Sequence, residues 1–162
     1  ETVVFDDTVA NNIHLWQGDI EDDPALRERV IHAAERAHAH HFIQDLPNGY
    51  QTMVGDRGVR LSGGQQQRLF VARELFKQPN VLLLDEATSD LDTASEQHIQ
   101  SSIDALQGEV TVVIIAHRLS TVKNADRVYV LDEGRVIESG TYHELRHRDE
   151  GAFREMVEMQ SL

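Results

Sequence analysis

An amphipathic segment begins at Leu61-Ser62-Gly63-Gly64-Gln65, and this stretch predicts the first turn of a helix. Ser62 is a favourable N-cap residue, because its hydroxyl can accept a hydrogen bond from a backbone N–H of that turn. The two glycines would let an anion approach the backbone without a Cβ in the way. Since a helix N-terminus carries unpaired N–H groups and about half a positive charge, the stretch predicts a phosphate-binding helix start.

A second stretch, Val81-Leu82-Leu83-Leu84-Asp85-Glu86, follows a short helix's length further on and predicts a strand that ends in two carboxylates. Its unbroken apolar run is typical of a strand covered on both faces in a parallel sheet. Asp85 at the carboxyl end of such a strand suits a hydrated Mg²⁺, and Glu86 suits a base for a water molecule. Together with the predicted phosphate-binding helix start, these carboxylates predict a phosphoryl-transfer site.

A third chemical group follows another apolar strand. Residues 111–116 predict that strand, and His117 comes directly after it. Because ligands bind at the carboxyl ends of the strands in open α/β sheets, we expect His117 at the same edge as Asp85 and Glu86. A helix from Thr93 to Leu106, with Gly108 as its stop, joins the two strands.

The composition narrows the class of protein. The 162 residues are enough for one domain with a core of its own. The net charge of −13 argues against a nucleic-acid partner, which would require a basic face. The chain has no cysteine, which excludes a disulfide framework and a thiolate metal site. Its longest apolar run, residues 110–116, is far shorter than the roughly 20 residues that a membrane helix needs.

Three quoted stretches carry a family resemblance: LSGGQ at residues 61–65, VLLLDEATSDLD at 81–92 and IIAHRLST at 114–121. Together they resemble the nucleotide-binding domain of ATP-binding cassette (ABC) transporters of the exporter type. The resemblance implies an α/β fold with a helical subdomain, plus the Walker B half of a RecA-like P-loop NTPase core with an incomplete parallel sheet. It predicts a helical subdomain with a Q-loop remnant over residues 1–78, and a partial ATPase core with a C-terminal hairpin and helix over 79–162.

The resemblance also implies binding residues for ATP and for a second copy of the domain. In the head-to-tail dimer of the family, Ser62, Gly63, Gly64 and Gln65 would bind the ATP that the partner subunit holds. Asp92 would lie in the D-loop at the dimer interface. The loop departs from the family pattern at residue 90, where an aspartate stands in place of the usual alanine.

The implied catalytic residues are Glu86 and His117. Glu86 would polarise the attacking water, and His117 would contact the γ-phosphate. Asp85 would hold Mg²⁺ through a water molecule. The implied cofactors are therefore ATP and Mg²⁺.

Two further segments resemble contact regions for a transmembrane domain. Asp6 to Ile13 predicts a short helix with Asp7 as its cap, and is similar to the exporter segment that lies against the coupling helix. Thr52 to Gly58 resembles the X-loop. The implied partners are a second nucleotide-binding domain and a transmembrane domain of the same or a partner chain. The implied location is the cytoplasmic face of the cell membrane, with no insertion of this segment and no nucleic acid.

A central part of the family pattern does not occur in the sequence. No GxxxxGK[ST] P-loop is present, and the resemblance places the Q-loop glutamine immediately before Glu1. We therefore expect a fragment, the C-terminal two-thirds of the domain. Most of the binding energy for a triphosphate comes from the P-loop, so the chain alone is expected neither to bind nor to hydrolyse ATP.

Two other classes of function are compatible with parts of the sequence. One is a soluble, non-transport ABC ATPase, which the HRLST segment and the acidic charge disfavour. The other is a nucleotide-independent interaction module. The histidines His32, His38, His40 and His41 suggest a metal site, but they lack carboxylate or thiolate partners at ligand spacing, so a solvated helix face is the preferred interpretation.

Overall fold

The computed structural model describes residues 3–85, 93–116 and 118–160, and these form a mixed α/β arrangement. Glu86, Asp92 and His117 lie outside the described residues. The helices are α1 (Val9–His14), α2 (Pro24–Arg36), α3 (His40–Gln44), α4 (Gly63–Phe76), α5 (Thr93–Ala105), α6 (Tyr142–Arg146) and α7 (Ala152–Gln160). The strands are β1 (Asp7–Thr8), β2 (Met53–Val54), β3 (Val81–Asp85), β4 (Thr111–Ile115), β5 (Val128–Asp132) and β6 (Arg135–Gly140).

The chain separates into two compact units. Among the described residues, one unit holds 3–84 and 93–113, and the other holds Asp85, 114–116 and 118–160. The described strands pair as three two-stranded sheets, β1 with β2, β3 with β4, and β5 with β6. The division at residues 78 and 79 that the sequence suggests stays a prediction.

Helix α4 is the centre of the first unit, and it packs against α1, α2 and α5. Its apolar positions recur at helical spacing, so that one side of the helix faces the core. The unit's core is made of side chains that are almost fully excluded from solvent: Val9, Ile13, Val30, Ile43, Val54, Leu69, Val71 and Ile99.

The N-cap of the N-terminal helix α1 lies one residue later in the chain than predicted. Thr8, not Asp7, is the N-cap, and its hydroxyl accepts the backbone N–H of Asn11 at 3.1 Å. The carboxylate of Asp7 instead accepts hydrogen bonds from the side chains of Asn11 at 2.8 Å and Trp16 at 2.6 Å. These bonds lower the pKa of Asp7 below its usual value. The predicted cap was therefore wrong because the Asn11 and Trp16 side chains occupy the Asp7 carboxylate, and Thr8 caps the helix instead.

The sequence Asp23-Pro24 predicts a helix start, because aspartate is a favourable N-cap and proline a favourable first helical residue, and α2 begins there. Asp23 is the N-cap, Pro24 occupies the first helical position, and the Asp23 carboxylate accepts the N–H groups of Ala25 and Leu26 at 3.0 Å each.

Strand β3 was predicted to be buried on both faces, but one face is exposed to solvent. Leu82 and Leu84 are buried, but Val81 and Leu83 are 60% and 61% exposed. Val113 of the paired strand β4 is also exposed. The prediction of a strand covered on both faces is thus wrong here, because the described residues cover only the side of β3 that carries Leu82 and Leu84.

The second unit contains the predicted hairpin. Strands β5 and β6 are antiparallel, and they are joined by Glu133 and Gly134, both of which have positive φ angles. Its core contains Val130, Leu145, Phe153 and Val157. The single predicted C-terminal helix is two helices, α6 and α7, and their apolar side chains are only partly buried, since Met156 and Met159 are exposed.

Among the described residues, no helix is long and apolar enough to cross a membrane.

A buried histidine makes the stability of the first unit depend on pH. His14 is 1% exposed, and its Nδ1 accepts the backbone N–H of Gln17 at 3.1 Å. Burial lowers the pKa of His14 below its usual 6.5, although Asp19 and Asp7 partly oppose this. As the pH falls, the imidazole takes up a proton in the unfolded chain before it does so in the folded one. The contribution of neutral His14 to the free energy of unfolding is therefore fully present above pH 6.5 and is lost as the pH drops towards the folded-state pKa.

We therefore expect the melting temperature to fall between about pH 8 and about pH 5. His14→Asn, whose Oδ1 can accept the same N–H, should make that fall smaller. Part of the dependence should remain, because partial desolvation of the ring, together with His98 and Arg68, also lowers the pKa of His38. Circular dichroism melts across this range test the expectation, with the exposed His32→Asn as the control. An equal pH dependence in the His14 variant and the wild type would contradict it.

Candidate functional site

The predicted phosphate-binding helix start is a capping box at the first turn of α4. The Ser62 hydroxyl accepts the backbone N–H of Gln65 at 3.3 Å, and the Gln65 side-chain oxygen accepts the backbone N–H of Ser62 at 3.0 Å. Ser62 has an extended backbone, with φ −64° and ψ 160°, as an N-cap residue requires. The prediction of Ser62 as the N-cap is confirmed.

The capping box leaves donors at the helix start for an anion. Because the Ser62 oxygen acts as an acceptor in the cap, its own O–H can donate to another group. Ser62 and Gly63 are exposed, and a Cβ placed on Gly63 would meet nothing within 4 Å. Gly64 is buried. The helix dipole adds partial positive charge at this point, so the start of α4 can accept a phosphate oxygen.

A surface pocket lies beside this helix start. Its volume is about 420 Å³, and its lining consists of Val4, Gly55, Asp56, Arg60, Leu61 and Gln66. The Gln66 side chain donates to the backbone oxygen of Leu61 at 3.1 Å, which holds the chain entering the helix against its first turn.

The predicted magnesium residue, Asp85, is the last residue of β3 and is exposed. A carboxylate at a strand end is a suitable outer ligand for Mg²⁺. Glu86, Asp92 and His117 lie outside the described residues, so their roles stay predictions. Ser62, Gly63, Gly64 and Gln65 belong to one compact unit and Asp85 to the other.

The histidine-rich stretch contains mostly exposed side chains. His32, His38 and His41 are exposed, and the His40 ring nitrogen Nδ1 lies 2.8 Å from the Tyr50 hydroxyl. In the part of the chain that the structure describes, no group of three or more histidine, aspartate or glutamate side chains is placed to hold a metal ion.

Two segments that resemble membrane-domain contact regions are adjacent in the structure. Strand β1 pairs with β2 in antiparallel register, with Asp7 opposite Val54 and Thr8 opposite Met53. The Asp6 carboxylate accepts the backbone N–H of Arg57 at 3.3 Å, and its other oxygen lies 3.7 Å from the Arg57 Nε. One surface is therefore formed by the N-terminal segment at residues 6–13 and the X-loop segment at residues 52–58.

The burial of Arg73 in α4 was not predicted from the sequence. The side chain is buried, with 6% exposed, and burial lowers the pKa of its guanidinium below the usual value while Glu74 opposes this. A signal was present, because residue 73 lies four positions after Leu69 and three before Phe76, on the apolar side of the helix.

A family model described as ABC transporter matches residues 2–89, which is more than half of the chain. The chain belongs to the ABC transporter family.

Relatives of this ABC transporter chain are exporters and flippases. It is 54% identical over 145 residues to an ATP-dependent lipid A-core flippase of Methylobacillus flagellatus, covering 90% of this chain and 24% of the flippase. It is 46% identical over its whole length to a putative multidrug export ATP-binding/permease protein of Staphylococcus aureus, of which it covers 27%. The predicted family is confirmed.

A solved structure shows the same fold. The match is a bacterial Atm1-family ABC exporter with ATP bound, with a TM-score of 0.82 and 45% identity over 99% of this ABC transporter chain and 27% of the exporter. The predicted fold class is confirmed. The chain spans about a quarter of the length of the relatives it matches.

The capping box gives a test that needs no nucleotide. Ser62→Ala removes the cap acceptor and should lower the free energy of unfolding by about 1 kcal/mol, whereas Ser62→Asp should keep most of it because aspartate also caps helices. Urea denaturation followed by circular dichroism measures both variants.

The matched control is Ser101→Ala within α5, where the hydroxyl donates to the Gln97 carbonyl inside the helix. That change should be close to neutral or slightly stabilising, because alanine is the better interior helix residue. A Ser62→Ala chain as stable as the wild type would show that the capping box does not stabilise α4.

Proposed function

We propose that the chain is part of the ATP-hydrolysing nucleotide-binding domain of an exporter-type ABC transporter, in which ATP hydrolysis powers export across a membrane. The observation that carries the proposal is the exposed, capped start of α4 with the LSGGQ sequence. The names of the relatives, which include flippases and export proteins, favour an exporter over a non-transport ABC ATPase.

The proposed binding roles follow from the donors at this helix start. The free O–H of Ser62 and the backbone N–H groups of Gly63 and Gly64 would engage the γ-phosphate of ATP held by a partner subunit. Gln65 would keep Ser62 oriented through the reciprocal hydrogen bonds of the capping box. Asp92 would contact the partner at the dimer interface.

The proposed chemistry uses three side chains at or just after the ends of β3 and β4: Asp85, Glu86 and His117. Mg²⁺, when bound, neutralises charge on the phosphate oxygens, and Asp85 would hold it through a water molecule. Glu86 would accept the proton of the attacking water as general base, and His117 would stabilise the negative charge that develops on the γ-phosphate.

The proposed partner for the surface of β1 and β2 is a transmembrane domain, at the cytoplasmic face of the membrane. Support comes from the exposed apolar side chains of this part of the chain: Val3, Phe5, Trp16 and Met53. Phe5 and Trp16 form an edge-to-face pair with ring centroids 5.2 Å apart. An exposed apolar and aromatic surface of this kind is typical of a protein interface.

The chain by itself should have no measurable affinity for Mg-ATP. It has no P-loop sequence to hold the β- and γ-phosphates, and the helix start of α4 would contact only the γ-phosphate end. Isothermal calorimetry of the purified chain tests this, with the intact transporter as the positive control. A micromolar dissociation constant for the chain would refute the expectation.

In the intact transporter, Glu86→Gln should bind ATP but turn it over roughly 10²- to 10⁴-fold more slowly, because the general base is lost. Ser62→Asp should keep the helix cap but repel the γ-phosphate, so ATP turnover should fall with the fold intact. Steady-state phosphate release and a circular dichroism melt measure the two effects separately.

The matched control is Thr141→Asp, at the second capping box, where Thr141 and Glu144 make the same reciprocal bonds at α6. This variant should hydrolyse ATP at close to the wild-type rate. If Ser62→Asp also does so, α4 does not bind ATP and the proposed role of its first turn is wrong.

A further inference from the structure

The buried guanidinium of Arg73 joins α4 to the N-terminal segment, defined here as Val3–His14. Its Nε donates to the backbone oxygen of Asn12 at 2.7 Å, and its Nη2 donates to the Asn12 side-chain oxygen at 3.0 Å. Its Nη1 donates to the backbone oxygen of Val3 at 2.9 Å. One side chain of α4 therefore contacts the N-terminal segment at both of its ends.

Asn12 extends this link to Phe5. The Asn12 side-chain oxygen accepts the Phe5 N–H at 2.9 Å, and its amide nitrogen donates to the Phe5 and Thr8 backbone oxygens at 3.0 Å each. The Arg73 guanidinium carbon also lies 4.9 Å from the Phe5 ring centroid. Asn12 is fully buried, so these bonds are shielded from water.

The hydrogen bonds of the buried guanidinium indicate that Arg73 orients the N-terminal segment, in addition to filling space in the core. Burying a guanidinium is costly unless its donors are satisfied, and an apolar residue of similar volume would fill the same space without that cost. The three acceptors are neutral oxygens, and the planar guanidinium fixes their directions in a way that a lysine ammonium does not. Arg73 thus imposes a defined geometry on the N-terminal segment.

Helix α4 connects this geometry to the proposed ATP contact. Ser62 and Arg73 lie on one continuous helix, about 16 Å apart at 1.5 Å per residue. Because a helix moves as a rigid element, a displacement at its first turn is carried to Arg73 and from there to the N-terminal segment. That segment presents the exposed Val3 and Phe5 side chains.

We propose that Arg73 is a positioning residue that couples ATP engagement at the start of α4 to the N-terminal segment, and through it to the exposed surface that carries Val3 and Phe5. This inference rests on the proposed function, because it requires ATP to contact Ser62 and its neighbours. In this role Arg73 acts through Asn12 and Phe5.

The test uses the intact transporter with Glu86→Gln, with and without Mg-ATP, followed by hydrogen–deuterium exchange. ATP should slow exchange at residues 62–65 and should also change exchange over residues 3–14. In Arg73→Lys, the ATP-dependent change at 62–65 should persist, while the change over 3–14 should be lost. A purely structural role would raise exchange over 3–14 equally with and without ATP and leave the ATP-dependent difference intact.

Two further variants make the result specific. Asn12→Ala leaves Arg73 in place but removes its Nη2 acceptor and the bonds to Phe5, so it should cause the same loss even if Arg73→Lys fails to fold. Arg29→Met is the matched control, because the exposed Arg29 guanidinium lies 4.5 Å from the Phe76 ring centroid near the same end of α4. The ATP-dependent change over 3–14 should survive in this control.

The outcomes separate this inference from the proposed function. If ATP changes exchange at 62–65 but not over 3–14 in the Glu86→Gln transporter, or if Arg73→Lys responds over 3–14 as strongly as its parent, the coupling role is wrong while the ATP site stands. If ATP changes neither region, the proposed function is wrong and the coupling role with it.

Discussion

The two ends of α4 constrain the first compact unit. At its start, the side chains of Ser62 and Gln65 each accept the other residue's backbone N–H, so the helix begins at a defined residue. The hydroxyl proton of Ser62 is left to donate to another group. Near its end, the buried Arg73 must find oxygen acceptors, and it finds them on Val3 and Asn12. A helix fixed in this way at both ends can hold a ligand-binding turn and a distant segment in one rigid frame.

The features that the sequence predicted correctly are those set by local chemistry. The hydroxyl residue before two glycines caps α4, and Asp23-Pro24 starts α2, because such bonds involve residues only a few positions apart. The alternation and the turn at Glu133 and Gly134 likewise fixed the antiparallel hairpin. The family resemblance, carried by the three quoted stretches, extended these local signals to the fold class.

The features that could not be predicted depend on contacts between distant parts of the chain. Asp7 is not a cap because its carboxylate accepts the indole N–H of Trp16, which lies beyond the end of α1. Arg73 is buried because oxygens of residues 61 and 70 positions earlier in the chain surround it. The roles of Glu86, Asp92 and His117 remain predictions that rest on resemblance. Spacing alone shows which residues share a helix side, but it does not show which distant groups will meet there.

The exposed side of β3 has a consequence for how this domain could be assembled. Val81 and Leu83 are aliphatic yet 60% and 61% exposed, so the chain forgoes about 1–2 kcal/mol of burial for each. Any polypeptide that supplied a complementary apolar layer would gain that energy on contact.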